Sequence, residues 1–177
     1  FECEILWGEA REKINSIPSS INFDLIYLDG FSPPKCPQLW TFEFLDKVTQ
    51  KLNSQGYLIT YSSSAAVRKT LRNLGLKIFN IKPNLNSKNL WSNGTIGIKQ
   101  FDEKKLTSNL YFEKLSSMEE EHLLTKASIP YRDPSLNSNT KDIIKRRSKE
   151  QSFSNLKTSK IWRDKWGMTK STFASKI

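Results

Sequence analysis

Asp24-Leu25-Ile26-Tyr27-Leu28-Asp29-Gly30-Phe31-Ser32-Pro33-Pro34-Lys35-Cys36-Pro37 reads as a strand followed by a stiff loop. Leu25 to Leu28 form an apolar run between two aspartates, the pattern of a parallel strand covered on both sides. Gly30 to Pro37 holds three prolines and a glycine, which restrict the backbone and mark a loop. On the amino-terminal side, Leu6-Trp7 ends an apolar segment and Gly8-Glu9 follows. Ala10, Ile14 and Ile17 then share one helical face until Pro18-Ser19-Ser20 stops it. On the other side a helix begins near Thr41, which can cap it, with Phe44, Leu45, Val48 and Leu52 on its inner stripe. Asn53 to Gly56 reads as a turn, Tyr57 to Tyr61 as a strand, and Ala65 to Leu74 as a helix ended by Gly75. Leu76 to Ile81 alternates as a strand, Ser92-Asn93-Gly94 is a turn, and Thr95 to Lys99 is a short last strand.

Strands alternating with helices of this length predict an α/β fold with parallel strands and right-handed crossovers. Sites in such sheets lie beyond the carboxyl ends of the strands. Three segments qualify: Gly8-Glu9, Asp29 to Lys35, and Tyr61 to Ser64. They are far apart in sequence, but the fold brings them to one edge.

The chain has 177 residues, of which 37% are apolar, enough for one ordinary domain and too apolar for a wholly disordered chain. No apolar run approaches the roughly 20 residues of a membrane span. A single histidine, His122, argues against multi-histidine zinc chemistry and against a Ser–His–acid triad; it reads as a surface or helix-interface residue. No metal is expected. Cys3 and Cys36 read as free buried thiols in a reducing compartment, and the expected location is cytoplasmic. No G-x-G-x-x-G or P-loop is present.

The net charge of +10 is unevenly spread. Residues 1–100 carry 12 basic and 8 acidic groups, residues 101–140 carry 5 and 7, and residues 141–177 carry 11 and 3. A basic tail attracts polyanions; the bland alternative is a solubilising tail. Three parts follow: an α/β unit over 1–100, an acidic irregular connection over 101–140, and a basic tail over 141–177. Within the tail, Lys141 to about Ser152 reads as a helix carrying Lys145-Arg146-Arg147, and Trp162 and Trp166 either pack on the domain or stack on bases.

In the loop, a strand-end carboxylate at Asp29, an aromatic ring at Phe31 and a cation at Lys35 suit an amine substrate: Asp29 orients it or accepts its proton, and Phe31 packs against it. The alternative is that Asp29 caps the next segment and Phe31 fills core. Glu9 could accept from a cofactor amino group or complement the dipole of the helix that follows.

The run Asp24 to Trp40 resembles the methyltransferase domain of the MnmC-type tRNA 5-methylaminomethyl-2-thiouridine biosynthesis family, with its D-x-x-x-L-D-G-F-(A/S)-P-x-K-x-P-x-x-W signature. Gly8-Glu9-Ala10-Arg11, Gly56, Tyr61-Ser62-Ser63-Ser64 and Val67-Arg68-Lys69 to Gly75 extend the likeness, which covers about residues 6–100. It implies a class I, Rossmann-like methyltransferase sheet. Leu6-Trp7 would end its third strand, and the last two strands would form its terminal antiparallel hairpin. It further implies that the family's first two strands and glycine-rich cofactor loop lie outside this chain.

The implied cofactor is S-adenosyl-L-methionine, held by Glu9, Ala10, Asp29 and Gly30. The implied reaction methylates the aminomethyl nitrogen of a modified wobble uridine, with tRNA bound through its anticodon region. Asp29 takes the catalytic base role, Phe31 and Ser62 meet the substrate, and Lys35 and Arg68 meet tRNA phosphate. No flavin-type dinucleotide fingerprint follows Gln100, which points to the type without an oxidase domain. The competing function class is a non-catalytic RNA-binding or interaction module.

Overall fold

The computed structural model describes residues 2–82, 94–101 and 111–168. Helix α1 (Ala10–Lys13) continues as a 3-10 turn, Ile14–Ser16, and leads to strand β1 (Phe23–Tyr27). Helix α2 (Phe42–Gln50) starts on the Thr41 hydroxyl, which accepts the Phe44 N–H. Strand β2 (Leu52–Thr60), helix α3 (Ala65–Asn73) and strands β3 (Lys77–Ile81) and β4 (Thr95–Ile98) follow. At the end of α3, Leu76 N–H bonds Leu71 C=O and Gly75 N–H bonds Arg72 C=O, the paired bonds that close a helix through a left-handed glycine; Gly75 has φ +88°.

The sheet order is β1-β2-β4-β3-β5, where β5 is Phe112–Lys114. Strands β1 and β2 are parallel; β4 is antiparallel to both β2 and β3, and β5 is antiparallel to β3. This is the mixed α/β sheet with an antiparallel final pair that the resemblance implies. Of the turn read at Ser92-Asn93-Gly94, the first two residues lie outside the described residues.

The expected turn at Asn53 to Gly56 is instead part of β2. Phe23 pairs with Leu52, but Leu25 pairs with Tyr57, so β2 carries extra residues here as a bulge. A Cβ on Gly56 would sit 2.9 Å from the Phe23 carbonyl oxygen; only glycine lets the bulge lie this close to β1.

Side chains alternate between the two sheet faces. Leu58 and Ile78 join the main core with Phe44, Leu45, Val48 and Leu71. Ile59 and Phe79 join a second cluster on the opposite face with Ile96, Ile98 and Phe112. In that cluster Phe79 meets Phe101 at 4.8 Å and Phe112 at 5.1 Å between ring centroids. The expectation for β1 needs correction. The strand is parallel as read, but its burial is poor: Leu25 is 45% and Tyr27 69% exposed. Among the described residues β1 is an edge strand, paired with β2 alone, and only Ile26 and Leu28 reach the core. Cys3 is also exposed rather than buried.

The described residues 111–168 pack onto the α/β unit. Leu115, Leu123, Tyr131 and Ile143 belong to the main core. Thr41 pairs with Tyr131 as an isolated bridge, Arg132 bonds Glu43 at 2.7 Å, and Arg11 bonds Asp133 at 2.8 Å. Helix α5 (Thr140–Phe153) matches the predicted helix, but two of its three clustered cations are committed internally. Arg147 donates to the carbonyls of Ile129 and Ala127 and lies 4.4 Å from the Tyr131 ring centroid; Arg146 donates to the Arg132 carbonyl.

Helix α4 (Ser117–His122) packs on α6 (Ser159–Lys165) through His122, whose ring stacks on Trp162 at 4.0 Å. Burial, and after it the nearby Arg68 and Arg163 charges, lower the His122 pKa to about 4. The folded value lies below the unfolded one, near 6.5. This contribution is therefore complete above about pH 6.5, is lost as pH falls towards 4, and amounts to roughly 3 kcal/mol at most. Denaturant midpoints measured from pH 7 to 4 should fall over this window, and His122→Phe, which keeps a ring against Trp162, should flatten that part of the curve.

Candidate functional site at the strand ends

The exit of β1 is held in place by two hydrogen bonds to loop carbonyls. Tyr61, at the exit of β2, donates its hydroxyl to Gly30 C=O at 2.8 Å. Trp40 donates Nε1–H to Phe31 C=O at 2.7 Å, and its buried ring meets Tyr61 edge-on at 6.2 Å. A Cβ on Gly30 would come within 2.7 Å of Leu39, so the loop packs flat on the 3-10 turn Pro37–Trp40. The loop is thus fixed by its backbone while its side chains stay open: Asp29 and Lys35 are exposed, and Phe31 is 78% exposed. The Asp29 carboxylate takes no hydrogen bond from the described residues. Burial, followed by the Asp29 charge, raises the Tyr61 pKa, so the phenol remains a donor.

Glu9 and Ala10 lie at the start of α1, which packs against the Pro37–Trp40 turn. Glu9 Oε1 caps the helix through Arg11 N–H at 3.2 Å, and Oε2 accepts from Arg11 Nη2 at 3.0 Å. The Arg11 side-chain bond is the main cause of the lowered Glu9 pKa. Glu9 therefore caps the helix, and each of its oxygens keeps a lone pair for another donor.

Two expected substrate residues are buried behind this edge rather than open on it. Ser62 is 5% exposed and its hydroxyl accepts the Ser64 N–H; it shapes the start of α3. Arg68 is 1% exposed, and a phosphate contact needs a guanidinium at the surface. Its Nη1 instead pairs with Glu119 at 2.8 Å, its Nε donates to Thr95 Oγ1 at 2.9 Å, and its Nη2 bonds Asn80 and Gly94 C=O. Thr95 passes the order on, donating to Ser62 C=O at 2.6 Å. Arg68 is thus the internal strut of the β2 exit.

Sequence reasoning places Tyr61 at this edge and Trp40 inside the motif but reads no hydrogen-bonding clamp in either, and it misses Glu119. Tyr61 carries a signal in its place at the carboxyl end of a strand. Glu119 had another: Ser116-Ser117-Met118-Glu119 is a capping-box sequence, and the box forms.

Residues 1–95 match the family described as S-adenosyl-L-methionine-dependent methyltransferase. The chain belongs to this family. Its relatives include an uncharacterised protein of Methanocaldococcus jannaschii, 31% identical over 137 residues, covering 77% of this chain and 35% of that protein. They also include the tRNA 5-methylaminomethyl-2-thiouridine biosynthesis bifunctional protein MnmC of Campylobacter hominis, 31% identical over 72 residues, 41% of this chain and 10% of that protein. The Nitrosospira multiformis protein of the same name is 29% identical over 63 residues, 36% and 10% respectively. The crystal structure of MnmC2 from Aquifex aeolicus superposes with a TM-score of 0.71 at 27% identity, covering 83% of this chain and 44% of that one. The chain thus spans about a third of its archaeal relative and under half of the solved one. The superposition extends well past residue 95, so part of the carboxyl-terminal region shares the solved protein's arrangement.

The described residues suit one edge of the family's cofactor. S-adenosyl-L-methionine carries amino and hydroxyl donors. Glu9 and Asp29 offer acceptors with open lone pairs, and Arg11 Nε is a buried N–H with no partner among the described residues. Among the described residues this edge keeps unfilled acceptors, as a ligand carrying amino and hydroxyl donors requires.

Proposed function

We propose that this chain supplies the catalytic edge of an N-methyltransferase acting on the aminomethyl group of a modified wobble uridine in tRNA, of the 5-aminomethyl-2-thiouridine type. The observation that carries the proposal is the strand-exit loop, clamped by Trp40 and Tyr61 yet presenting an Asp29 carboxylate with no hydrogen-bond partner among the described residues, in a loop that also exposes the Phe31 ring. The names of the MnmC relatives support the substrate.

When bound, S-adenosyl-L-methionine supplies a methyl group already activated by its sulfonium. Glu9, Ala10, Asp29 and Gly30 would line the cofactor's edge. An aliphatic amine is mostly protonated at neutral pH, so it must lose a proton before its nitrogen can act. Asp29 attracts the ammonium group and accepts that proton at a carboxylate oxygen. Phe31 packs against the base, and exposed Lys35 meets a neighbouring phosphate. Clamping the loop backbone reduces the ordering needed on binding and favours alignment. The anticodon loop suits such a site because its bases are already single-stranded. A cytoplasmic location belongs to the same proposal. Among the described residues, no helix is long and apolar enough to cross a membrane, and no group of three potential metal ligands occurs.

The test combines calorimetric titration of S-adenosyl-L-methionine with radiolabelled methyl transfer to two tRNAs, one bearing 5-aminomethyl-2-thiouridine and one already methylated. Incorporation into the first alone is expected. RNA binding without incorporation would make the chain a non-catalytic binding module.

A further inference from the structure

A cavity of about 410 Å³ lies between α4 and α6, outside the residues that match the methyltransferase family. Leu124, Leu156, Ile161 and Trp162 form its apolar lining, and Lys157 and Lys165 stand at it. Leu124 is 62% exposed and Ile161 55%. An apolar concavity left open to water is a common mark of a binding site.

The cavity walls are well supported. Trp162 is 3% exposed, stacked on His122 and bonded through Nε1–H to Met118 C=O at 2.8 Å. Lys157 pairs with Thr125 as a bridge, and its C=O accepts the Lys126 N–H at 2.9 Å. The indole and the lysine-bearing rim are therefore set before anything binds.

Charge identifies the occupant. Residues 140–168 contain nine lysines and arginines against three acidic residues. The acid in the lining, Glu121, is already met by Lys165 at 2.6 Å and by Trp166 Nε1–H at 3.1 Å. What remains at the lining is an apolar slot whose rim carries the exposed Lys157. That combination suits a flat heterocycle attached to a phosphate, with the base stacked or enclosed and the phosphate on lysine.

We propose that this cavity is a second RNA site, which takes an unstacked base of a single-stranded segment while Lys157 and neighbouring cations meet its phosphates. The proposal rests on the RNA substrate proposed above and adds a foothold away from the strand ends. The two sites are mechanically linked. Helix α4 carries Glu119, which holds Arg68; Arg68 holds Thr95, and Thr95 holds the Ser62 carbonyl at the β2 exit. RNA bound at the cavity is thus anchored to the element that frames the methylation site.

The test measures fluorescence anisotropy of labelled tRNA with the whole chain across a salt series, for Lys157→Glu, Ile161→Asp and, separately, Phe31→Ala. Lys157 and Ile161 are exposed, so the folded state, checked by circular dichroism, should persist. Each cavity variant should weaken binding about tenfold, and Lys157→Glu should lower the salt slope by about one. RNA carrying 4-thiouridine should crosslink within residues 155–166.

Cavity variants that bind like the parent, or crosslinks confined to other regions, overturn the cavity proposal. If Phe31→Ala alone loses affinity, the strand-end reading stands and the cavity fails. If the cavity variants alone lose it, the cavity stands and the strand-end contact fails. Binding of an acidic peptide in place of RNA would overturn both.

Discussion

Glu119→Ala is expected to lower unfolding free energy by about 3–5 kcal/mol, the usual cost of stranding one partner of a buried ion pair. Glu119 is 2% exposed and Arg68 1%. Besides Arg68, the Glu119 carboxylate accepts from Asn80, from Ser116 N–H at 2.9 Å and from the Ser116 hydroxyl at 2.8 Å. Its removal leaves a guanidinium in the core and takes away half of a capping box. For a chain of this size, such a loss is a large part of a normal folding free energy. Urea midpoints followed by circular dichroism provide the check; a loss under about 1 kcal/mol would mean that water reaches Arg68 and the strut is not needed.

The same carboxylate has a pH signature. Burial alone would raise its pKa, but the Arg68 and Asn80 hydrogen bonds outweigh that and hold it below the usual carboxyl value. The stabilisation is present above the unfolded-state pKa, about 4.3, and is lost as pH falls through the folded value. It therefore fails at more acid pH than the His122 contribution. A two-part acid transition is expected, its lower part missing in Glu119→Gln.

Asp29→Asn is expected to reduce methyl transfer by about 10²–10⁴-fold, the range for losing a positioned base, while tRNA affinity changes less than tenfold. The substitution keeps size and loop geometry, since Tyr61 and Trp40 clamp the backbone carbonyls of Gly30 and Phe31 rather than the Asp29 side chain. Asp29→Glu should restore part of the rate. Single-turnover measurements with saturating S-adenosyl-L-methionine separate chemistry from binding. An Asn variant with the parent rate would leave Asp29 an orienting group without proton transfer.

Much of the α/β unit is readable from local chemistry. The Thr41 cap, the stripe of Phe44, Leu45 and Val48 and the Gly75 stop each depend on side chains a few residues apart, and these appear as read, while Leu52, read as the end of that stripe, is buried as the first residue of β2. The loop at 29–37 was readable for a similar reason, since its prolines and glycine act on their own backbone. What escaped depends on distant partners. Arg68 reads as a surface cation on a polar helix, and only the fold places it against Glu119, 51 residues away. The segment 111–168 has few long apolar stripes, so its packing through single residues such as Ile143, Tyr131 and Trp162 left no periodic trace. Covering of β1 was inferred from its apolar run, but a run of four apolar residues is the same at the edge of a sheet as at its centre.

That open strand affects how this chain behaves in a vial when it is prepared without the rest of the length its relatives span. Among the described residues, nothing pairs the outer edge of β1, and its free N–H and C=O groups are a template for another strand. Leu25 and Tyr27 make the adjoining surface adhesive. Two copies meeting there would extend one sheet across both and, given time, seed a precipitate. Mutual repulsion from a net charge of +10 opposes that encounter. The repulsion is long-ranged only in dilute buffer, since at 0.15 M ionic strength it fades over about 8 Å. Salt, the ordinary remedy for a sticky basic protein, would shorten the shelf life of this one.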